Sequence, residues 1–258
     1  MPLAFVGQSL ALSAAGLAAA SDGLCVSAAE IWTVLSVETA GCGFLPDRRP
    51  PILFERHIFS RLTNHRFDTH DVSNPEPGGY GCPGAPQYQR LAAAIEFHRG
   101  AALQSASWGL AQILGSNFVP AGFGDVESMV AAMTASEDAQ LAAFTKFLRS
   151  NCLDQSLKAH DWTALARGYN GPNFAINQYD VKLAKAFQKY SCGPTPDLQV
   201  RAAQLYLTFA GLNPGPIDGI MGAKTGSALL AYQQQKGLAL TARADPATLA
   251  ALLPDAEC

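Results

Sequence analysis

The chain of 258 residues has few charged residues and little excess of either sign. Asp, Glu, Lys and Arg make up 15% of it, and the formal net charge is −3. Nucleic-acid binders neutralise phosphates with an excess of Lys and Arg, so this balance gives no indication of a nucleic-acid partner. The chain also lacks an apolar run of the roughly 18–20 residues that cross a bilayer, so no membrane insertion is expected. The hydrophobic content of 48% is that of a chain that folds around a core.

Closely spaced cysteine pairs are missing too. The six cysteines are scattered, and none forms a Cys-x-x-Cys pair, which excludes a zinc ribbon and a thioredoxin motif. Cys42 and Cys82 both lie in glycine-rich turns, where they are able to pair. Free thiols are the default expectation for all of them: Cys25, Cys42, Cys82, Cys152, Cys192 and Cys258.

Two patterns indicate how the chain is divided. Residues 3–20 are rich in Ala and Leu, but no Lys or Arg precedes them, so we expect a helix over residues 8–20 and no cleaved signal peptide. Residues 192–197, Cys-Gly-Pro-Thr-Pro-Asp, are typical of a short, stiff linker. We therefore predict a larger unit over residues 1–190 and a compact helical unit over residues 197–258.

The larger unit is predicted to be mainly α, with a small β element near residues 43–60. The prolines at 50 and 51 are followed by an apolar run over residues 52–54, which predicts a short strand or turn that leads into a helix. The Gly- and Pro-rich residues 69–86 predict a loop long enough to be functional. Further helices are predicted over residues 88–98, 108–117, 126–135, 137–151, 162–169 and 175–190.

Glu38 stands at the end of an apolar helical run that begins at Ile31 and is followed at once by Gly41-Cys-Gly43. The pattern Ser27-Ala-Ala-Glu30 predicts where this helix begins, since it is that of a capping box. A carboxyl group held against apolar neighbours loses solvation in its charged form, which favours the protonated acid. Glu38 is therefore a candidate general acid, against the alternative of a solvated glutamate on an ordinary helix.

A basic segment lies between Arg48 and Arg66. It holds five arginines together with His57 and His65, and Glu55 is its one acidic residue. One interpretation is a surface for an anionic polymer. The other is a set of solvated arginines with a structural pair between Glu55 and an arginine, and the sequence does not choose between the two.

Two further segments combine with Glu38, and together they carry a family resemblance. Residues 105–115 contain Ser107-x-Gly-x-x-Gln112-Ile, and Tyr169-Asn-Gly follows later in the chain. This order resembles goose-type lysozymes and lytic transglycosylases. Residues 1–190 more specifically resemble the phage-type N-acetylmuramidase family, on two contiguous segments: Val37-Glu-Thr-Ala-Gly-Cys-Gly-Phe-Leu-Pro-Asp47 and Leu53-Phe-Glu-Arg-His-Ile-Phe59.

The resemblance implies a lysozyme-like fold that cleaves the β-1,4 bond between N-acetylmuramic acid and N-acetylglucosamine in peptidoglycan. Glu38 matches the position of the family's catalytic acid. The substrate-binding positions that we carry over or infer line the expected sugar groove: Glu55, His57, Ser107, Gln112, Tyr169 and Asn170. The candidates for a second carboxylate are Glu55, Asp47, Asp68 and Asp71, of which Glu55 is our first choice.

Residues 197–258 resemble the three-helix peptidoglycan-binding domain. The resemblance rests on four segments, which begin at Val200, Ile217, Tyr232 and Lys236, and residues 241–245 depart from the family's usual Asp-Gly turn. Such a module raises the local concentration of a catalytic domain on an insoluble polymer. We expect a monomer that is made in the bacterial host cytoplasm and acts on peptidoglycan in the periplasm, as a phage endolysin or a secreted effector.

Other functions stay open at this point. A lytic transglycosylase would act on the same bond, and a non-catalytic wall-binding protein would keep the fold. Residues 65–71 contain His and Asp at a spacing that matches no zinc motif, so we predict no metal and no cofactor, and we regard a metal-dependent peptidase as a weak alternative. Trp32 and Trp162 are expected in the core, whereas Trp108 is a candidate for stacking on a sugar.

Overall fold

The structure is a computed structural model that describes residues 4–38, 42–171 and 174–253, without the side chains of Glu38 and Asn170. It is mainly helical with one small sheet, as predicted. The helices are α1 Ala14–Leu24, α2 Ala28–Glu38, α3 Arg56–Leu62, α4 Gln87–Gln104, α5 Val126–Ala135, α6 Glu137–Ser150, α7 Leu153–Lys158, α8 Trp162–Asn170, α9 Tyr179–Cys192, α10 Leu198–Phe209, α11 Ala223–Lys236 and α12 Pro246–Leu252. The strands are β1 Ile52–Phe54, β2 Ala106–Trp108 and β3 Ile113–Leu114.

The first helix begins later than predicted. The backbone N–H of Leu10 donates to Ala135, and that of Leu12 donates to the Glu137 carboxylate, so both groups are used outside a helix. Ser13 then caps α1, since its hydroxyl accepts the backbone N–H of Gly16 at 2.9 Å. The prediction of a helix over residues 8–20 is therefore wrong in its first half, because these residues pack as an extended segment against the start of α6.

The capping pattern before α2 is partly as predicted. Glu30 accepts the backbone N–H of Ser27 at 3.0 Å, which is the expected return bond of a capping box. The Ser27 hydroxyl, however, accepts the backbone N–H of Ala29 rather than that of Glu30, at 3.2 Å. The second Glu30 oxygen lies 2.8 Å from His160 of the segment before α8, so this residue also joins two parts of the domain.

The sheet corrects a second helix prediction. Its strands run in the order β1-β2-β3 and are antiparallel, with Leu53 opposite Ser107 and Ser107 opposite Leu114. Residues 108–117 therefore form the end of β2, a turn, β3 and a short 3-10 helix over Gly115–Asn117 instead of an α-helix. The turn needs left-handed backbone at Gly109, with φ +70°, and at Gln112, with φ +50°.

The other helices agree with the sequence to within a few residues. Helix α5 has the predicted bounds, whereas α4 continues past a break at His98 as far as Gln104. A 3-10 helix over Phe174–Asn177 precedes α9, and α7 was not predicted.

Two hydrophobic cores hold the chain together. The larger core includes Trp32 and Trp108, which are 2% and 0% exposed. The smaller core lies among α10, α11 and α12, and Phe44 from the larger unit is one of its members. The two units therefore share a packed contact. In the described ranges no single helix is long and apolar enough to cross a membrane. Helices α1 and α2 reach that length and apolar character only together, and they are bent by 103° relative to each other.

Candidate active site

An open cleft of about 460 Å³ brings together four of the predicted groove residues. Glu55, Ser107, Gln112 and Tyr169 all line it, although they come from distant parts of the sequence. Ser107 lies in β2, Glu55 directly follows β1, Gln112 lies in the turn between β2 and β3, and α8 supplies Tyr169. The other lining residues are Leu53, Ile113, Leu114, Asn117, Phe147 and Tyr179.

Glu55 lies at the floor of this cleft, between the end of β1 and the start of α3. Its backbone N–H donates to Ser105 at 2.8 Å, and its side chain is 21% exposed. Burial raises the pKa of the Glu55 carboxyl, and the nearby His57 and Arg61 only partly oppose this effect. A carboxyl group that holds a proton at higher pH than usual is suited to proton transfer.

The partner of Glu55 is His57 rather than an arginine. The distance between His57 Nε2 and Glu55 Oε2 is 3.7 Å, which is longer than a hydrogen bond. Among the described residues, the buried His57 Nδ1 has no hydrogen-bond partner. His57 does not line the cleft, but it lies next to Glu55, which does. The interpretation of a structural pair between Glu55 and an arginine is therefore wrong.

The other candidates for a second carboxylate are used elsewhere. Asp47 forms an ion pair with Arg49 at 2.5 Å. Asp71 forms one with Arg56 at 3.1 Å. Asp68 accepts the hydroxyl hydrogen of Ser73 at 2.5 Å. Of the four candidates, Glu55 is the one that lines the cleft.

Gln112 holds the turn of the sheet in place. Its side-chain amide donates to the carbonyl oxygens of Pro51 and Gly109, at 3.0 and 2.9 Å. Tyr169 braces the same turn, because its hydroxyl donates to the carbonyl oxygen of Ala111. Both amide hydrogens of Gln112 are thus used within the protein, and a ligand in the cleft would meet its carbonyl oxygen.

The position of Glu38 is described by its backbone, since it is the last residue of α2; its side chain lies outside the described part of the structure. Gly43, five residues further along the chain, is joined to the cleft through Gln140 of α6. The Gln140 amide donates to the carbonyl oxygen of Gly43 at 3.1 Å, and its own oxygen accepts the backbone N–H of Leu110 at 2.6 Å. Leu110 belongs to the same turn as Gln112, so Gln140 connects Gly43 with the turn of the sheet.

Glycine is needed at two positions around Gln140. A Cβ atom built on Gly43 would lie 2.3 Å from the side-chain oxygen of Gln140, and one built on Gly109 would lie 2.7 Å from its side-chain carbon. Both distances are shorter than real Cβ contacts. The close approach to Gln140 thus gives a packing reason for the second glycine of Gly41-Cys-Gly43.

Several other predictions have a different outcome. Trp108 is 0% exposed and its indole N–H donates to Leu103 at 3.0 Å, so the alternative of stacking on a sugar is wrong. Asn170 ends α8, and its side chain lies outside the described residues.

The arginines of the basic segment do not form one free basic surface. Arg49 and Arg56 are in ion pairs, and Arg48 donates to the carbonyl oxygen of Gly7 at 3.0 Å.

Residues 65–71 do not come together as a metal site. His65 lies 3.1 Å from Asp68, and His70 packs on Phe97 with ring centroids 4.4 Å apart. In the described ranges, no group of three or more His, Cys, Asp or Glu residues has the geometry to hold a metal ion. The five cysteines of those ranges, Cys42 and Cys82 included, are free thiols.

Sequence reasoning missed the buried polar residues that form hydrogen bonds with the backbone around the site. Gln140 and Glu137 of α6 are 1% and 0% exposed, and both bind the turn that contains Gly43. Gln87 is 0% exposed; it accepts the backbone N–H of Phe54 at 3.0 Å and donates to Tyr80 at 2.7 Å. A polar residue inside an amphipathic helix gives no sequence signal that it is buried.

Comparisons with known proteins agree with this geometry. The family model for N-acetylmuramidase matches residues 27–191. The model for a peptidoglycan binding domain matches residues 196–252. The crystal structure of Burkholderia AP3 phage endolysin is similar to the chain, with 40% sequence identity over 70% of this chain and 71% of that chain, and a TM-score of 0.65. No curated protein gives a significant match.

The N-acetylmuramidase match covers more than half of the chain. The cleft, the helical fold and the likeness to an endolysin agree with it. The chain therefore belongs to the N-acetylmuramidase family: it is a lysozyme-type glycoside hydrolase of peptidoglycan, in which the catalytic domain is followed by a peptidoglycan-binding domain.

Proposed function

We propose that the enzyme cleaves the β-1,4 bond between N-acetylmuramic acid and N-acetylglucosamine, with Glu38 as the general acid. The observation that carries the proposal is the convergence of Glu55, Ser107, Gln112 and Tyr169 on one cleft. Gln140 also joins that cleft to Gly43, five residues beyond Glu38. Glycoside cleavage needs a protonated carboxyl group at the leaving oxygen, and Glu38 is the last residue of the core helix α2.

Glu55 is the proposed second carboxylate. It lines the cleft, lies 3.7 Å from His57, and has a pKa that burial raises. A carboxylate of this kind is a stronger base than a solvated one, which supports a role for Glu55 in accepting a proton from the attacking water. His57 has the role of a neighbour that limits the rise of the Glu55 pKa.

The remaining groove residues have binding roles in this proposal. Gln112 presents its carbonyl oxygen to a sugar hydroxyl or amide, because its N–H groups are used by Pro51 and Gly109. Ser107, Tyr169 and Asn170 complete the groove. The proposed division is a catalytic domain over residues 1–190 and a wall-binding domain over residues 197–258.

The biological setting follows from the same proposal. Similarity to a phage endolysin supports synthesis in the cytoplasm of a bacterial host and action on peptidoglycan in the periplasm. We propose a monomer that acts without a cofactor, a metal, a nucleic-acid partner or insertion into a membrane.

Digestion of purified peptidoglycan by the wild type and by Glu38→Gln, with the products resolved by mass, tests the function. We expect products with N-acetylmuramic acid at the reducing end, and a rate that falls by about 10²–10⁴-fold in the variant, since general acids contribute that much. Glu96→Gln is the matched control, because Glu96 is an exposed glutamate of α4. It should keep the wild-type rate.

The product masses also separate the alternatives. Anhydro-muramic acid at the product ends would mean that the 6-hydroxyl group attacks instead of water, as in a lytic transglycosylase. Cleaved stem peptides would indicate a peptidase. Full activity in Glu38→Gln would overturn the assignment of the acid.

A further inference from the structure

The two domains are joined by an ion pair that is buried inside the protein. Arg201 of α10 belongs to the wall-binding domain, and Glu137 begins α6 of the catalytic domain. The two guanidinium nitrogens of Arg201 donate to the two carboxylate oxygens of Glu137, at 2.5 and 2.7 Å. Their side chains are 1% and 0% exposed. A forked pair of this kind fixes distance and orientation together.

Glu137 also forms hydrogen bonds with the backbone of the catalytic domain. Its Oε2 atom accepts the backbone N–H of Leu12 at 2.7 Å, and its Oε1 atom accepts that of Gly43 at 2.7 Å. Each carboxylate oxygen therefore binds one nitrogen of Arg201 and one backbone N–H group. A shift of the carboxylate would disturb both bonds at once.

Gly43 is the link between this ion pair and the proposed acid. It is only five residues beyond Glu38 in the chain. Its N–H is bound by Glu137, and its carbonyl oxygen is bound by Gln140, which also binds the turn of the cleft at Leu110. Both backbone polar groups of Gly43 are thus bound by side chains of α6, and Arg201 is bound to one of these two side chains, Glu137.

Other contacts show that the wall-binding domain packs against this region. The hydroxyl of Tyr206 accepts the backbone N–H of Ala11 at 2.9 Å. Phe44, the residue after Gly43, is buried in the core of the wall-binding domain and packs edge-on against Phe209, with ring centroids 6.4 Å apart. The Arg201 guanidinium also lies 5.6 Å from the centre of the Trp32 ring in α2.

We propose that Arg201 is a positioning residue for catalysis: through Glu137 the wall-binding domain fixes Gly43, which lies five residues beyond Glu38 and is joined to the cleft by Gln140. This inference rests on the proposed role of Glu38. It goes beyond the anchoring function of the domain, because it requires the domain for the chemical step even on a substrate that needs no anchor. A misplacement of about 1 Å in a catalytic group lowers a rate by up to about 10²-fold.

The test compares full-length variants on soluble, uncross-linked glycan fragments, which do not need a wall anchor. Arg201→Met removes both donors at similar length, and Arg201→Lys keeps the charge but not the fork. Arg243→Met is the matched control, because Arg243 is an exposed arginine of the same domain. Circular dichroism at the assay temperature establishes that each variant is folded before kcat and KM are compared.

We expect Arg201→Met to lower kcat by about tenfold or more, with KM within about twofold of the wild type. Arg201→Lys should recover part of the loss, and Arg243→Met should match the wild type. If Arg201→Met is unfolded, the Arg201→Lys variant tests the proposal instead. A threefold or larger fall in its kcat at unchanged KM then supports the positioning role. Wild-type kcat in folded Arg201 variants overturns the proposal.

The same assay keeps the two proposals apart. A wild type that releases sugar fragments and loses this activity in Glu38→Gln retains the proposed function, whatever the Arg201 variants do. A wild type that releases no fragments contradicts the proposed function, and the positioning role of Arg201 falls with it.

Discussion

Two glutamates of the catalytic domain have little access to water, yet their surroundings are opposite. Glu55 lines the cleft, and its nearest charged neighbour is His57 at 3.7 Å. Glu137 lies between the domains and accepts hydrogen bonds from both Arg201 nitrogens and from two backbone N–H groups. At the first site, burial of the carboxyl group is only partly compensated by nearby charges. The second fixes a carboxylate on every side.

The comparison shows that two glutamates with little exposure differ in how far their burial is compensated by charged and hydrogen-bonding partners. Burial raises the pKa of Glu55 because the compensation from His57 and Arg61 is incomplete. At the domain junction, burial by itself would lower the pKa of Arg201, but Glu137 outweighs this effect and raises it. The charged partners decide whether a buried carboxylate transfers protons or holds a structure together.

Removing the carboxylate at the junction should have the largest effect on stability. Glu137→Ala removes the carboxylate that pairs with the buried Arg201 charge and that accepts the N–H groups of Leu12 and Gly43. We expect the free energy of unfolding in urea to fall by about 3–5 kcal/mol. A loss below about 1 kcal/mol would mean that water enters the junction, and the contrast with Glu55 would then disappear.

Glu55→Gln should leave the fold intact and slow the reaction. The amide keeps the size of the side chain but cannot accept a proton, so we expect kcat on peptidoglycan to fall by about 10²-fold, equal to about 2.7 kcal/mol. Asp71→Asn is the control, because Asp71 pairs with Arg56 at the surface away from the cleft lining. Unchanged kcat in Glu55→Gln would contradict a catalytic role and would mean that Glu55 only lines the cleft.

Much of the fold is predictable from the sequence, because its signals are local. The exact bounds of α5 follow from Asp125 and Ser136, whose side chains cap α5 and α6. The wall-binding domain has its three helices in the predicted order, and Asp245 caps α12. The helix predicted over residues 108–117 fails because pairing with β1 overrides an apolar pattern that suits either structure.

The site is predictable only in part. Glu55, Ser107, Gln112 and Tyr169 follow from family segments, and they meet in one cleft. The bonds of Glu137 cross to residues 12, 43 and 201, so no local pattern reveals them. Pairing across such distances depends on the packed fold, which spacing along the chain does not encode.

The stability of Glu55→Gln relative to the wild type should depend on pH. Because the folded-state pKa of Glu55 is raised, the unfolded chain loses this proton first as pH rises, so the wild type is progressively destabilised above the ordinary glutamate pKa. The penalty is absent at lower pH and is complete above the raised value. Urea titrations should therefore find Glu55→Gln more stable than the wild type near neutral pH, and equal to it in acid. The opposite order would contradict the burial of this carboxyl group.

The smallest effect is expected for a second forked ion pair, which differs from the junction in its exposure. Arg99 and Glu127 make two bonds of 2.6 and 2.8 Å, much like those of Arg201 and Glu137, but their side chains are 52% and 51% exposed. Water solvates either partner when the other is removed, so Arg99→Ala should cost about 1 kcal/mol or less in the urea titration. Salt should reduce this cost further by screening. A loss as large as that of Glu137→Ala would show that the fork geometry, and not the burial, makes the junction strong.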